Sequence, residues 1–449
     1  MISINQKYGT EEEQNMLEIE IIDDYIDTYD ITVEENENFF GNNILVHNCT
    51  EIDLPTRPLR SMDDGATIKT VAYPLEKTTE YQDYKRKNKD LLFRDQEMDI
   101  STARSQNDGI YRIVDDLREL PGDNWVMDQV LVEDHEAANI ALCILSAINW
   151  GNIRSPEDFE KPCRMAVRGL DALIDHQDYP VLAAKIATIG RRPLGIGIIN
   201  FAYWLVKNNT SYQEPDLELI DQYMEAWSYY LIKASVEIAK EKGACPKNWD
   251  TKYSRGILPI DTYKKSVDEL VPHTERMPWD ELRSDLKKYG IRNSTLMAIM
   301  PAETSAQISN STNGIEPPRG LVSVKQSKHG VMKQVVPGIS RYKNKYDLLW
   351  DHKSPMGYLK IVSVMQKYID QGISVNTSYN PQNYEDEKIS MNDMILYLLT
   401  SYKYGAKQLY YFNTYDGQGE IDISKESSYS DPLPTSEIEN DELCEACAI

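Results

Sequence analysis

Basic residues are in short supply: 48 Lys and Arg stand against 72 Asp and Glu, a formal net charge of -24 over 449 residues. A surface that neutralises phosphates needs the opposite balance, which argues against a nucleic-acid partner. Long apolar runs are missing too. None approaches the roughly 20 residues that a membrane-crossing helix needs, and the N-terminus has neither the basic start nor the apolar core of a signal peptide. A cytoplasmic protein without membrane association is therefore expected. Six cysteines, Cys49, Cys143, Cys163, Cys245, Cys444 and Cys447, are too few to staple so long a chain. Most such thiols are small buried hydrophobes, the expectation for Cys163 and Cys245, and the others are candidates for catalysis or redox chemistry.

With 41% hydrophobic residues the chain can bury one large α/β domain or two to three ordinary ones. Residues 1–48 alternate apolar and polar positions around Gly and Asn turn signals and read as a small β unit. Residues 63–133 are polar and charge-mixed ("EYQDYKRKNKDLLFRDQEMD"), with few core candidates, and read as an insertion. From about residue 134 the pattern turns globular. "HEAANIALCILSAINWG" reads as a buried segment and "RRPLGIGIINFAYWLVKN" as a tight turn entering a buried strand or helix. "DLELIDQYMEAWSYYLIKASVEIAKEKG" reads as an amphipathic helix, with Ile220, Tyr223, Trp227, Leu231, Ala234 and Ile238 on one side and Gly243 as its stop. Short apolar strands such as "STLMAIM" and "KQLYYFN" alternate with helices, which predicts an α/β architecture. Residues 418–449 hold nine acidic residues, one lysine and no apolar period, and are expected to form a flexible tail.

Two chemistries meet at "ILVHNCTEIDLP". The segment "YDITVEENENFFGNNILVHN", followed by Cys49, resembles the C-terminal part of an intein, on Asp30 in "YDITV", the "NFF" run and the His-Asn-Cys ending. The ending makes chemical sense. The Asn48 amide can attack its own carbonyl carbon to form a succinimide and break the bond to residue 49, while His47 polarises the carbonyl or protonates the leaving amine. Cys49 would accept the acyl chain from an upstream fragment first, as the better nucleophile. The resemblance gives Asp30 a part in proton transfer. Where the family often has a His just before "NF", this chain has Glu37. With only the last part of an intein ahead of Cys49, the expectation is a split intein that splices in trans with a partner chain.

Residues 49–449 resemble the C-terminal half of the large subunit of class I ribonucleoside-diphosphate reductases. The resemblance rests on "CTEIDLPTRPL", "IALCILSAIN", "LGIGIINFAYWL", "GILPIDTYKK", "RNSTLMAIMPAETSAQISNSTNGIEPPRG", "QLYYFNTYDG" and the tail cysteines, in order. It implies half of a ten-stranded α/β barrel over residues 49–417, with Cys49 on a loop entering it. Cys49 matches the thiyl-radical cysteine and Glu51 the carboxylate that takes the 3'-OH proton. Cys143 matches one of two substrate-reducing cysteines, its mate lying in the N-terminal half. Tyr410 and Tyr411 match a stacked pair that relays an electron and proton from the small subunit's radical.

For "PAETS", Pro301, Ala302, Glu303, Thr304 and Ser305, two readings stand: a strand-to-helix turn whose N–H groups cradle the substrate's diphosphate, or an ordinary capping turn with Thr304 or Ser305 bonding the first helical turn. Cys444 and Cys447 form C-x-x-C on the tail, a dithiol suited to exchange with a buried disulfide and an outside reductant. A zinc half-site is the competing reading, without a second C-x-x-C or His pair to complete it. "GIG" at 195–197 is too weak to claim as a nucleotide loop.

The resemblance implies no cofactor bound by this chain itself. The radical would come from a small subunit with a dinuclear metal, ATP and deoxynucleotide effectors would bind the N-terminal half, and thioredoxin or glutaredoxin would recycle the dithiol. Two further readings stand beside this one: a reductase half that associates with its N-terminal half without splicing, and a thiol-disulfide carrier. The carrier is disfavoured, because carriers are small and need neither "PAETS" nor paired tyrosines.

Overall fold

The computed structural model describes residues 2–5, 18–21, 38–41, 44–47, 54, 66–87, 112–114, 124–133, 140, 142–179, 181–327 and 330–415. Asp30, Asn48, Cys49, Glu51, Cys444, Cys447 and the tail from 416 lie outside them.

The N-terminal residues form two antiparallel pairs: β1 (Ile2–Asn5) with β2 (Glu18–Ile21), and β3 (Asn38–Gly41) with β4 (Ile44–His47), where Asn38 opposes His47. The stretch expected to hold few core residues instead builds a sheet. Strand β5 (Ala66–Pro74) pairs along nine residues with β7 (Trp125–Glu133) and on its other edge with β6 (Arg112–Val114). Helix α1 (Thr78–Lys87) lays Tyr81 on Tyr73, ring centroids 4.0 Å apart, and both rings are buried. The charged run between these strands dominates the composition, while "ATIKTVAYP" and "WVMDQVLVE" at its flanks supply the ladder.

The larger part is five extended segments laid side by side in chain order. Strand β8 (Ile144–Asn149) pairs in parallel with β9 (Leu194–Ile199), in register Ile144 to Leu194. The segment 294–300 continues the sheet, with Ile196 bridging Met297 and Ile299 bridging Ile373, both in parallel. Strand β10 (Val322–Ser327) then pairs antiparallel with β11 (Gly330–Val335). The fourth segment, 371–379, ends as β12 (Thr377–Tyr379) and pairs in parallel with β13 (Phe412–Thr414). Hydrogen bonds from Tyr410 N to Val375 O and from Thr377 N to Tyr411 O carry that pairing back through the tyrosines. The predicted strand "KQLYYFN" is thus mostly paired chain rather than a formal strand, which begins only at Phe412.

Helices connect and cover this sheet: α2 (Glu160–His176), α3 (Leu182–Arg191), α4 (Phe201–Lys207), α5 (Leu217–Lys242), α6 (Trp279–Tyr289), α7 (Glu303–Ile308), α8 (Met356–Gln366) and α9 (Met391–Lys403). Helix α2 carries a buried stripe of Cys163, Val167, Leu170 and Ile174 at helical spacing. The reading of α5 as one-sided is corrected: it starts where Asp216 accepts the Leu219 N–H and ends at Gly243 as expected, but it is buried nearly all round. Polar side chains on its second face have partners, which is why periodicity missed it. Asp221 takes hydrogen bonds from Lys367 (2.7 Å), Tyr368 (2.8 Å) and Arg276 (2.9 Å), and Glu225 from Trp279 Nε1 (3.0 Å).

The part-buried Asp370 accepts from the N–H groups of Leu296 (2.8 Å) and Met297 (2.9 Å) and from Tyr253 Oη (2.8 Å). It pins the third segment to the fourth. Cys163 and Cys245 are buried as expected; burial pushes the Cys245 thiol up to about 12, against Arg191, and raises Cys163 well above the ordinary thiol range. Neither is an available nucleophile.

Candidate active site

The parallel order gives the sheet two distinct ends. Cys143 stands just before β8, part-buried, at the N-terminal end. The strand beside it explains "GIG". A Cβ at Gly195 would stand 2.5 Å from Leu145 Cδ2 and 3.3 Å from Cys143 Sγ; one at Gly197 would stand 2.6 Å from Met300 Sδ. These glycines lie within strand β9 and leave room on one sheet face for Cys143, Leu145 and Met300. Leu145 remains 41% exposed on that face.

At the other end, Met300 leads into Pro301 and then α7. The helix N-cap is Ala302, with φ -126° and no side-chain acceptor, so neither Thr304 nor Ser305 holds the capping position. Ala302 N donates instead to Asn313 Oδ1 (3.1 Å). Pro301, Glu303 and Ser305 are exposed, Thr304 is half-buried and Ala302 is buried. A small cleft opens here, lined by Met300, Pro301, Asn313, Glu316 and Ser374 among others.

Tyr410 and Tyr411 stand at the same height. Ile299 opposes Ile373, which puts Val375 level with residue 301, and Tyr410 bonds to Val375. The two rings lie 3.9 Å apart at 37°, and Tyr410 Oη donates to Tyr411 Oη at 3.0 Å. Tyr411 is 55% exposed. By register Cys143 lies about seven residue steps lower, roughly 23 Å at strand rise. The structure therefore groups the Pro301 turn with the tyrosine pair and sets Cys143 at a distance from both. His47 is placed only as the last residue of β4.

Sequence reasoning passed over Glu316 and Asn376. Glu316 sits in "NGIEPPRG", where no periodicity or motif marks it. Its carboxyl accepts from Asn376 Nδ2 at 2.6 Å, and Asn376 Oδ1 accepts the Tyr411 N–H at 3.2 Å. Burial raises the carboxyl to about 7; Asn376 and Arg319 oppose the rise and Glu303 adds to it. Among the described residues no group of three or more His, Cys, Asp and Glu side chains is placed to hold a metal ion, and no helix is long and apolar enough to cross a membrane.

Residues 49–412 match the family described as ribonucleotide reductase, barrel domain. The chain belongs to the ribonucleotide reductase barrel-domain family. The α/β order of segments fits this membership. Relatives include the ribonucleoside-diphosphate reductase subunit alpha of Haemophilus influenzae, 53% identical over 287 residues, which cover 64% of this chain and 38% of that protein. The ribonucleoside-diphosphate reductase 1 subunit alpha of Escherichia coli is 52% identical over 245 residues, covering 54% and 32%. The subunit alpha of Enterobacteria phage T4 is 45% identical over 298 residues, covering 66% and 39%. The match thus spans less than two fifths of each of these relatives.

Proposed function

We propose that this chain is the C-terminal half of a ribonucleoside-diphosphate reductase large subunit, joined to its N-terminal half by trans-splicing at Cys49 and then reducing ribonucleoside diphosphates to deoxyribonucleoside diphosphates. The observation that carries this is a coincidence of boundaries. The family match begins at residue 49, the residue that follows His47-Asn48. One thiol would serve twice, first accepting the acyl chain during splicing and afterwards carrying the radical beside Glu51.

In this reading the five segments are one half of a ten-stranded barrel, residues 1–48 the intein fragment and 418–449 the redox tail. Cys143 is one of the two thiols oxidised to a disulfide as substrate is reduced, and Cys444 and Cys447 exchange with that disulfide and then with thioredoxin or glutaredoxin. The Pro301–Ser305 turn holds the diphosphate, with Thr304 and Ser305 as hydroxyl donors. Tyr410 and Tyr411 relay the electron and proton; their contact supports this role, since relay between phenols requires a hydrogen bond or ring contact. A small subunit with a dinuclear metal supplies the radical, and ATP and deoxynucleotides act on the N-terminal half.

The test is the intact mass of the chain after mixing with the upstream chain, alongside Asn48→Ala and Cys49→Ala. Splicing predicts a ligated product that keeps 401 residues of this chain (449 minus 48) and releases residues 1–48. An unchanged mass in a mixture that still reduces ribonucleotides would replace splicing by non-covalent association.

A further inference from the structure

A continuous chain of hydrogen bonds runs from the cleft to the tyrosine pair. Glu316 lines the cleft beside Pro301 and Ser374. Its Oε1 accepts from Asn376 Nδ2 at 2.6 Å, and the other end of the same amide, Oδ1, accepts the backbone N–H of Tyr411 at 3.2 Å. Asn376 lies one residue before β12, and Thr377 N in turn donates to Tyr411 O. Tyr411 is therefore held from both sides of its peptide by residues 376 and 377, and one of those holds leads to Glu316.

An amide in this position cannot hold both bonds indifferently to the state of the carboxyl. Its Nδ2 donates more strongly to a carboxylate than to a carboxylic acid, because charge-assisted bonds are shorter and stronger. Polarisation along the amide then changes the acceptor strength of Oδ1 at Tyr411. Other titratable and charged groups facing Glu316 are Arg319, three residues on, Glu303 at the start of α7, Tyr212, and Tyr358 on α8. Arg319 favours the carboxylate, and Glu303 or any anion in the cleft favours the acid.

We propose that Glu316 and Asn376 are positioning residues that couple charge in the cleft to the backbone of Tyr411, and through it to the ring contact of Tyr410 and Tyr411. The clause about charge in the cleft rests on the reading of the Pro301–Ser305 turn as a diphosphate site. The bond geometry does not. Neither residue touches a reacting atom; both act through Tyr411. Because the carboxyl is raised to about 7, the coupling operates at neutral pH.

The experiment follows the Tyr411 amide by NMR in the full 449-residue chain labelled with 15N-tyrosine, the resonance being assigned by its loss in Tyr411→Phe. The expected result is a pH transition with a midpoint near 7, the value to which the Glu316 carboxyl is raised. It should vanish in Glu316→Gln and in Asn376→Ala while the other tyrosine amides stay in place, which shows that the variants fold. Saturating inorganic pyrophosphate should move the midpoint upward. Absence of a transition between pH 5.5 and 8.5, or one that survives Glu316→Gln, would overturn the proposal. If the transition depends on Glu316 but pyrophosphate leaves its midpoint unmoved, the relay stands and the diphosphate reading of the turn fails.

Discussion

A carboxyl raised to about 7 is bound to its proton more tightly in the folded chain than in the unfolded one, whose glutamates titrate near 4.5. The stability this contributes is fully present below about pH 4.5 and is lost as pH rises through 7. Its size is on the order of 2 kcal/mol, since Glu316 faces a cleft and is partly screened. Glu316→Gln keeps the acceptor for Asn376 and removes the titration. The difference in unfolding free energy between variant and parent, from urea titrations at pH 5 and pH 8, should therefore grow in the variant's favour with pH. A constant difference would show that the carboxyl is not raised. The comparison must be differential, because other carboxyls slope the other way. Burial acts to raise Asp261, but two hydrogen bonds and the charge of Arg283 hold it below its ordinary value. At Gly195 the neighbours are side chains: Gly195→Ala would push Leu145 and crowd Cys143, costing about 1–3 kcal/mol. It should also change the rate at which Cys143 reacts with a small alkylating reagent, read by peptide mass; an unchanged rate would place the thiol away from β9.

Elements were legible in the sequence where their chemistry is local, and obscure where distant partners set it. Helix α2 shows its buried stripe in its spacing, and α5 its start at Asp216 and stop at Gly243. The second buried face of α5 was hidden because Asp221, Glu225 and Ser235 are polar, and their partners Lys367, Arg276, Trp279 and Asn293 come from loops and helices far along the chain. The β5–β7 ladder was hidden for the same reason, its two strands being separated by a charged run. Glu316 carries no periodic signal, and only the fold brings it to Asn376. The buried ion pairs of α5 make a sharp prediction. Lys367 and Asp221 are both fully buried, so Asp221→Ala leaves the ammonium with only the more distant Asp268 carboxylate, 3.8 Å away, and should cost about 3–5 kcal/mol in chemical denaturation. A loss below 1 kcal/mol would mean that water reaches Lys367. Close packing makes a second. A Cβ at Gly357, in the first turn of α8, would lie 2.0 Å from the Tyr212 carbonyl oxygen. Backbone cannot swing away as a side chain can, so Gly357→Ala should cost about 3 kcal/mol, near the upper end for overpacking, and more than Gly195→Ala.

For the whole molecule, the order of the five parallel segments leaves β8 and β13 as the outer strands of the described sheet. Parallel sheets are ordinarily covered on both faces, because their strands carry apolar side chains on each. Here the face that holds Cys143 keeps Leu145 41% exposed, and the far edge keeps Tyr411 and Phe412 at 55% and 51%. If a second barrel half completes the sheet, as proposed, these edges are where it must add, since extended chain with unpaired N–H and C=O groups accepts another strand directly. Amide exchange in peptides covering 142–149 and 409–415 should then slow at least tenfold when the upstream half is added, while peptides from α5, already buried nearly all round, should hardly change. Splicing-blocked Asn48→Ala should give the same protection, because edge pairing needs contact and not a peptide bond. Protection only after ligation would show that the covalent join itself assembles the barrel. Unchanged exchange in both cases would mean that the sheet edges are not where the second half docks, and that the exposed Leu145 face serves some other contact.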